Sequence, residues 1–222
     1  MIWESLYWKS DLIKDADVLN RWSKKKHSNR QYVLLEKKIF ITAYSVRKLL
    51  EAEKIGSDFP MWNLGITKFL KKTKDKIDHM NNHDIDRSYD VDQPIQDSIS
   101  IASLCNTLIH SYIFLLKENE AGEVISFLFT SDKTKELYIY EMDLEKFTNL
   151  LKWIGHSDVI ESHQTRDPNE PSGFKIKRRY CFNDCIPRKG LPSKNKLTFL
   201  SEYIKNCLES ENQPDPLVEK KQ

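Results

Sequence analysis

Asn106 and His110 stand four residues apart in Cys105-Asn106-Thr107-Leu108-Ile109-His110, inside a stretch made otherwise largely of apolar residues. On a helix that spacing puts both side chains on one face, one turn apart. An imidazole that titrates near neutrality can move protons at physiological pH, and a neighbouring amide can orient it or its substrate. Burying either group without a partner costs roughly 1–3 kcal/mol, so something polar must face this helix. Backbone, the two side chains themselves, a second subunit or a ligand would each serve, and the plainest of these readings makes them satisfied core residues.

A second constellation is basic. From Phe174 to Lys196 the chain holds Lys175, Lys177, Arg178, Arg179, Arg188, Lys189, Lys194 and Lys196 against one acid, Asp184. Interleaved with Phe174 and Tyr180, these bases suit gripping a phosphate backbone while aromatic rings stack on bases. Lys175, Lys177, Arg178, Arg179, Arg188 and Lys189 are therefore candidate nucleic-acid contacts. The same composition also suits an edge strand blunted against aggregation by its charges.

The elements that must position these groups can be read from periodicity. Trp3 to Trp22 shows helical spacing and ends in the solvated run Lys24, Lys25, Lys26. Leu35, Ile39, Thr42 or Ala43, Val46 and Leu50 form one face of a long core helix from Gln31 to Ile55, which Gly56 stops. Ser57 to Leu64 reads as a turn, Ile66 to Asn81 as a further helix with lysines outward, and Asn82 to Gln93 as a loop. With Asp92 as cap and Pro94 in its first turn, the most apolar helix then runs to about Leu116 and carries Asn106 and His110. From Glu123 the period changes: two β-branched and aromatic runs flanking Thr130 to Lys135 predict a β-hairpin. Met142 to Ile154 follows as a helix capped by Asp143, His156 to Gly173 as loop, Phe174 to Tyr180 as a short basic strand, and Lys196 to Leu208 as a last helix.

Over Gln31 to Leu116, through helix order and the string Cys105 to His110, the chain resembles the HEPN superfamily, helical proteins of prokaryotic defence and toxin systems. Their motif helix carries Arg, then a polar residue that is often Asn, then three residues and His. The resemblance implies a homodimer that brings the motif residues of two subunits together. It also implies metal-independent RNA cleavage by attack of a ribose 2′-hydroxyl on the neighbouring phosphate. Asn106 and His110 are the catalytic residues carried over. Cys105 stands where the family has Arg, and a thiol lacks the cationic fork that binds phosphate, so Arg47 on the long second helix is the candidate substitute.

The expected fold is thus mainly α: a HEPN-like helical bundle core over 1–120, a hairpin-helix and basic extension over 121–210 packed on it, and a disordered tail over 211–222. The expected function is a HEPN-like RNA-associated protein of a bacterial or phage conflict system, either a weakened endoribonuclease or a non-cleaving member. The competing expectation is a non-catalytic protein-protein interaction or regulatory module.

Composition bounds these readings. With 222 residues, 39% hydrophobic and 11% aromatic, the chain can bury a substantial core. A net charge of +2 does not by itself imply a polyanion partner. No apolar run reaches the ~20 residues that span a bilayer, and the acidic start is unlike a secretory signal, so a cytoplasmic protein without membrane contact is expected. Four cysteines, Cys105, Cys181, Cys185 and Cys207, suit a reducing compartment and free thiols. His79, His83, Asp84 and Asp86 could ligate a divalent metal if one helix ran through Asn82, but Asn81 and Asn82 favour a helix end. Cys181 and Cys185 lack the spacing and second pair of a zinc knuckle. Six glycines, none in a phosphate-cradling loop, complete the case for expecting neither cofactor nor metal.

Overall fold

The computed structural model describes residues 2–25, 27–56, 63–166, 168–169 and 174–183, which fall within one compact unit, Met1–Asp184. Helix α1 (Ser5–Ser23) starts at Glu4, whose carboxylate accepts the Leu6 N–H at 2.9 Å, and buries Leu12, Ala16 and Leu19. Helix α2 (Asn29–Glu51) starts in a capping box, with the Gln31 amide oxygen accepting the Ser28 N–H at 2.7 Å. Its buried face is Leu35, Ile39, Thr42, Ala43, Val46 and Leu49. Apolar spacing predicts both helices; Leu49 rather than Leu50 closes the second stripe.

Beyond α2 the helical bundle gives way to a sheet. Strands β1 (Asn63–Leu70), β2 (Ile95–Ser100), β3 (Ser111–Glu118), β4 (Val124–Ser131) and β5 (Tyr138–Asp143) form one antiparallel sheet in the order β2-β1-β5-β4-β3. Between and after them come α3 (Ile85–Ser88), α4 (Ile101–Ile109) and α5 (Leu144–Gly155). Strands β6 (Ser157–Arg166) and β7 (Phe174–Asn183) pair only with each other, as a two-stranded ribbon. The mainly α expectation is therefore wrong, and the fold mixes helices with an antiparallel sheet.

Three segments account for the difference. The predicted helix from Ile66 is instead β1 and a chain of turns. Ile66 packs towards the helices and Phe69 towards the opposite face, so with both faces covered the apolar positions no longer alternate. The long helix expected from Pro94 to Leu116 is split into β2, α4 and β3. Ser100 ends β2 and caps α4, its side chain accepting from the Ser103 N–H. Past His110, Phe114 and Leu116 join one core and Ile113 and Leu115 the other. A continuous apolar run of this kind reads alike for helix and strand. Finally, the expected loop after His156 contains β6, a strand of mainly polar composition that its pairing with β7 defines.

The predicted hairpin is β4–β5, with Phe129 opposite Tyr140, and Asp143 caps α5 by accepting the Lys146 N–H at 2.8 Å. Helices α4 and α5 lie on one face of the sheet, with α2 against α4 and α1 against α5. Phe127 sits fully buried in this layer, its ring 5.6 Å from Phe114, 5.6 Å from Phe129 and 5.4 Å from Phe147. The other face is covered by the segment holding Ile77, Ile85 and Tyr89. The Tyr89 hydroxyl donates to the Lys135 carbonyl at 2.7 Å, and the Glu136 carboxylate accepts the Ile77 N–H at 2.9 Å.

Gly155, the last residue of α5, lies close against α1. A Cβ there would lie 2.5 Å from Ile13 Cγ1 and 2.9 Å from the Lys9 carbonyl oxygen. Gly155→Ala is expected to lower stability by about 1–2 kcal/mol, the overpacking cost exceeding the gain in helix propensity. Denaturant unfolding measures this, and an unchanged or raised midpoint would mean that α1 can shift away freely.

Candidate functional site

Asn106 and His110 lie where α4 ends beside α2. The helix buries Ile101, Leu104, Cys105 and Leu108, which leaves Asn106 on the outside, exposed. His110 is the residue just past the helix and is also exposed; its backbone N–H donates to the Asn106 carbonyl at 3.1 Å. The two residues are thus not a polar pair inside a buried helix. The apolar stripe of α4 faces the core, and four-residue spacing carries this pair along its other side.

Arg47, chosen from the sequence as the substitute cation, does meet this pair. Its Nη1 donates to Asn106 Oδ1 at 2.5 Å, joining α2 to α4. Its Nε donates to Glu51 Oε1 at 2.7 Å, and Lys48 Nζ binds the other oxygen of Glu51 at 2.7 Å. These hydrogen bonds, from Lys48 first and Arg47 second, hold the Glu51 carboxyl below its usual range. Glu51 was not singled out from the sequence, although its spacing of four from Arg47 is the signature of a helical ion pair. The guanidinium therefore has a carboxylate as its nearest charge and part of its fork engaged, which weakens it as a phosphate ligand.

Cys105, at the position of the family arginine, is 2% exposed, and burial pushes its thiol up to about 12. It is a neutral core side chain and a free cysteine. The arrangement thus offers one exposed imidazole and one amide tied to an ion-paired guanidinium.

Of the basic candidates, Lys175, Lys177, Arg178 and Arg179 all belong to β7, whereas Arg188 and Lys189 lie outside the described residues, as do the expected last helix and tail. Among the described residues no three His, Cys, Asp or Glu side chains gather in a way that could hold a metal ion. His79 and His83 stand on turns rather than on one helix, and His83 Nε2 lies 3.4 Å from Asp84 Oδ1. Cys181 falls on β7, and Cys185 and Cys207 lie outside the described residues. No described helix is long and apolar enough to cross a membrane.

Compared with protein-family models, curated proteins and solved structures, the chain matches none.

Proposed function

We propose that the protein associates with RNA without cleaving it, through the bases of β7. The observation that carries this is the register of the β6–β7 ribbon. Lys175 lies opposite Thr165, Arg178 opposite His163 and Arg179 opposite Ser162, while the acids Glu161 and Asp158 fall opposite Tyr180 and Phe182. None of the three bases has a carboxylate directly opposite, and only Arg178 has one on the diagonal, Glu161. A strand that carries four bases and no acid, with interleaved Phe174, Tyr180 and Phe182 in its sequence, suits a single-stranded nucleic acid, whose unstacked bases offer faces to aromatic rings.

The non-cleaving part of the proposal rests on Arg47. Metal-independent cleavage needs a cation for the phosphorane beside the histidine, and here the candidate cation is paired with Glu51 and Asn106. The resemblance of Cys105 to His110 to the HEPN motif is what suggests RNA as ligand and a prokaryotic conflict system as setting, and with the helical bundle gone the RNA reading rests on β7. The resemblance no longer supports the family mechanism, because that mechanism belongs to a helical bundle.

The test is anisotropy of labelled single-stranded RNA against salt, with cleavage followed in EDTA. Four phosphate contacts give a slope of log K on log salt of about −3. Replacing Lys175, Lys177, Arg178 and Arg179 together by Gln should remove most of that slope and lower affinity by about tenfold or more at low salt. His110→Ala should leave binding unchanged. Equal binding by the fourfold variant would refute the assignment, and EDTA-resistant cleavage lost in His110→Ala would establish a nuclease instead.

A further inference from the structure

Helix α2 turns an apolar stripe outward as well as inward. Val33 is 48% exposed, Leu34 38%, Ile41 55% and Tyr44 47%, and at 3.6 residues per turn the four fall within roughly 100° of arc on one side of the helix. The elements packed on α2 include α1, α4, α5 and, through Phe40 and Tyr32, β3, and the stripe lies on the side away from the buried face. Its N-terminal end opens into a pocket of about 200 Å³ lined by Trp22, Lys25, His27, Gln31 and Leu34. Leu34 belongs to both stripe and pocket.

The wall of this pocket is fixed in advance. His27 Nε2 lies 2.8 Å from the Trp22 carbonyl oxygen and Nδ1 3.3 Å from Glu118 Oε1, a carboxylate to which the Tyr32 hydroxyl also donates. The volume is below the roughly 300–1,000 Å³ of sites that enclose a small molecule, and it suits one apolar side chain of a larger partner.

Charge selects among partners. Arg30 and Lys37 are exposed and lie among the stripe residues, exposed Glu36 stands at the edge of the outer side, Lys48 is already paired with Glu51, and exposed Lys24 and Lys25 stand at the pocket end. Glu51, at the far end, is already held by Arg47 and Lys48. A second copy laid against this face would oppose bases with bases, and a flat lipid surface would leave the pocket unfilled. An acidic amphipathic helix satisfies all three features: apolar residues for the stripe, carboxylates for the bases set among them, and one anchor for the pocket.

We propose that the outer face of α2 docks an acidic amphipathic helix of a partner protein, with one apolar side chain of that helix seated in the pocket beside His27. The site is separate from β7 and independent of RNA association.

The experiment selects helix-length random peptides displayed on phage against the full chain, with counter-selection on Ile41→Glu/Tyr44→Glu. Both positions are exposed, and near-UV circular dichroism verifies that the variant keeps its fold. The expected peptides carry apolar residues at helical spacing with Asp and Glu between them. A synthetic copy should bind wild type, bind Ile41→Glu/Tyr44→Glu and Leu34→Asp about tenfold or more weakly, and lose affinity as salt rises. Peptides that are basic or aperiodic, peptides indifferent to these substitutions, or a selection that enriches nothing dependent on α2 would overturn the proposal. So would self-association seen by light scattering, or flotation with phosphatidylglycerol vesicles, that the double variant abolishes.

Discussion

Cys105→Arg, the single substitution that restores the HEPN motif, is expected to unfold the protein rather than to create a nuclease. Cys105 is 2% exposed, on the core side of α4 with Leu104 and Leu108. An arginine there must either bury its charge, at an effective cost of several kcal/mol, or force α4 away from its neighbours, at a further 1–3 kcal/mol or so of overpacking. Arg47 adds repulsion, since its charge already acts on the Cys105 sulfur. Against a total stability of roughly 5–15 kcal/mol, the sum removes most of the folded population. Thermal melts followed by near-UV circular dichroism decide it. Cys105→Ala is the control, with a loss of about 1–2 kcal/mol expected. A cooperative melt close to wild type in Cys105→Arg would show that the side chain reaches solvent, and the motif would then have to be reconsidered as an exposed site.

The second large effect is expected at Phe127. Its ring is fully buried and touches those of Phe114, Phe129 and Phe147, while Phe114 in turn packs on Phe40 of α2 at 4.7 Å. The cluster therefore joins β3, β4, α5 and α2. Phe127→Ala removes the shared member and leaves a cavity that rings from four elements cannot all close. The loss should be about 3–5 kcal/mol, lowering the thermal midpoint by about 10 °C. Phe127→Leu should recover more than half of it, because the lost volume is smaller. A drop below about 1 kcal/mol in Phe127→Ala would mean that the layer between sheet and helices repacks, contrary to the close contacts described.

How far each feature was legible depended on what its residues pack against. Helices α1, α2 and α5 each bury one stripe of apolar residues at helical spacing, so the period of 3.6 survives in their sequences, and Asp143 marks the start of α5. The β4–β5 hairpin is legible because β-branched and aromatic residues flank a polar turn. The ion pair of Arg47 with Glu51 was also within reach, being a matter of local spacing.

What only the tertiary structure decided is the state of the chain from Asn63 to Glu118 and the meaning of Cys105 to His110. Ile66, Phe69, Ile113 and Phe114 are apolar on both sides of their strands because helices cover one face of the sheet and the Ile77–Tyr89 segment covers the other. Two covered faces erase the alternation that marks a strand, leaving an apolar run that reads equally as helix. The same tertiary packing sends Cys105 inward and Asn106 outward, sets His110 one step past the helix, and brings Arg47, fifty-nine residues from Asn106 in the chain, within hydrogen-bond reach. Local spacing determines which side chains share a face; which face meets the core is decided by the sheet.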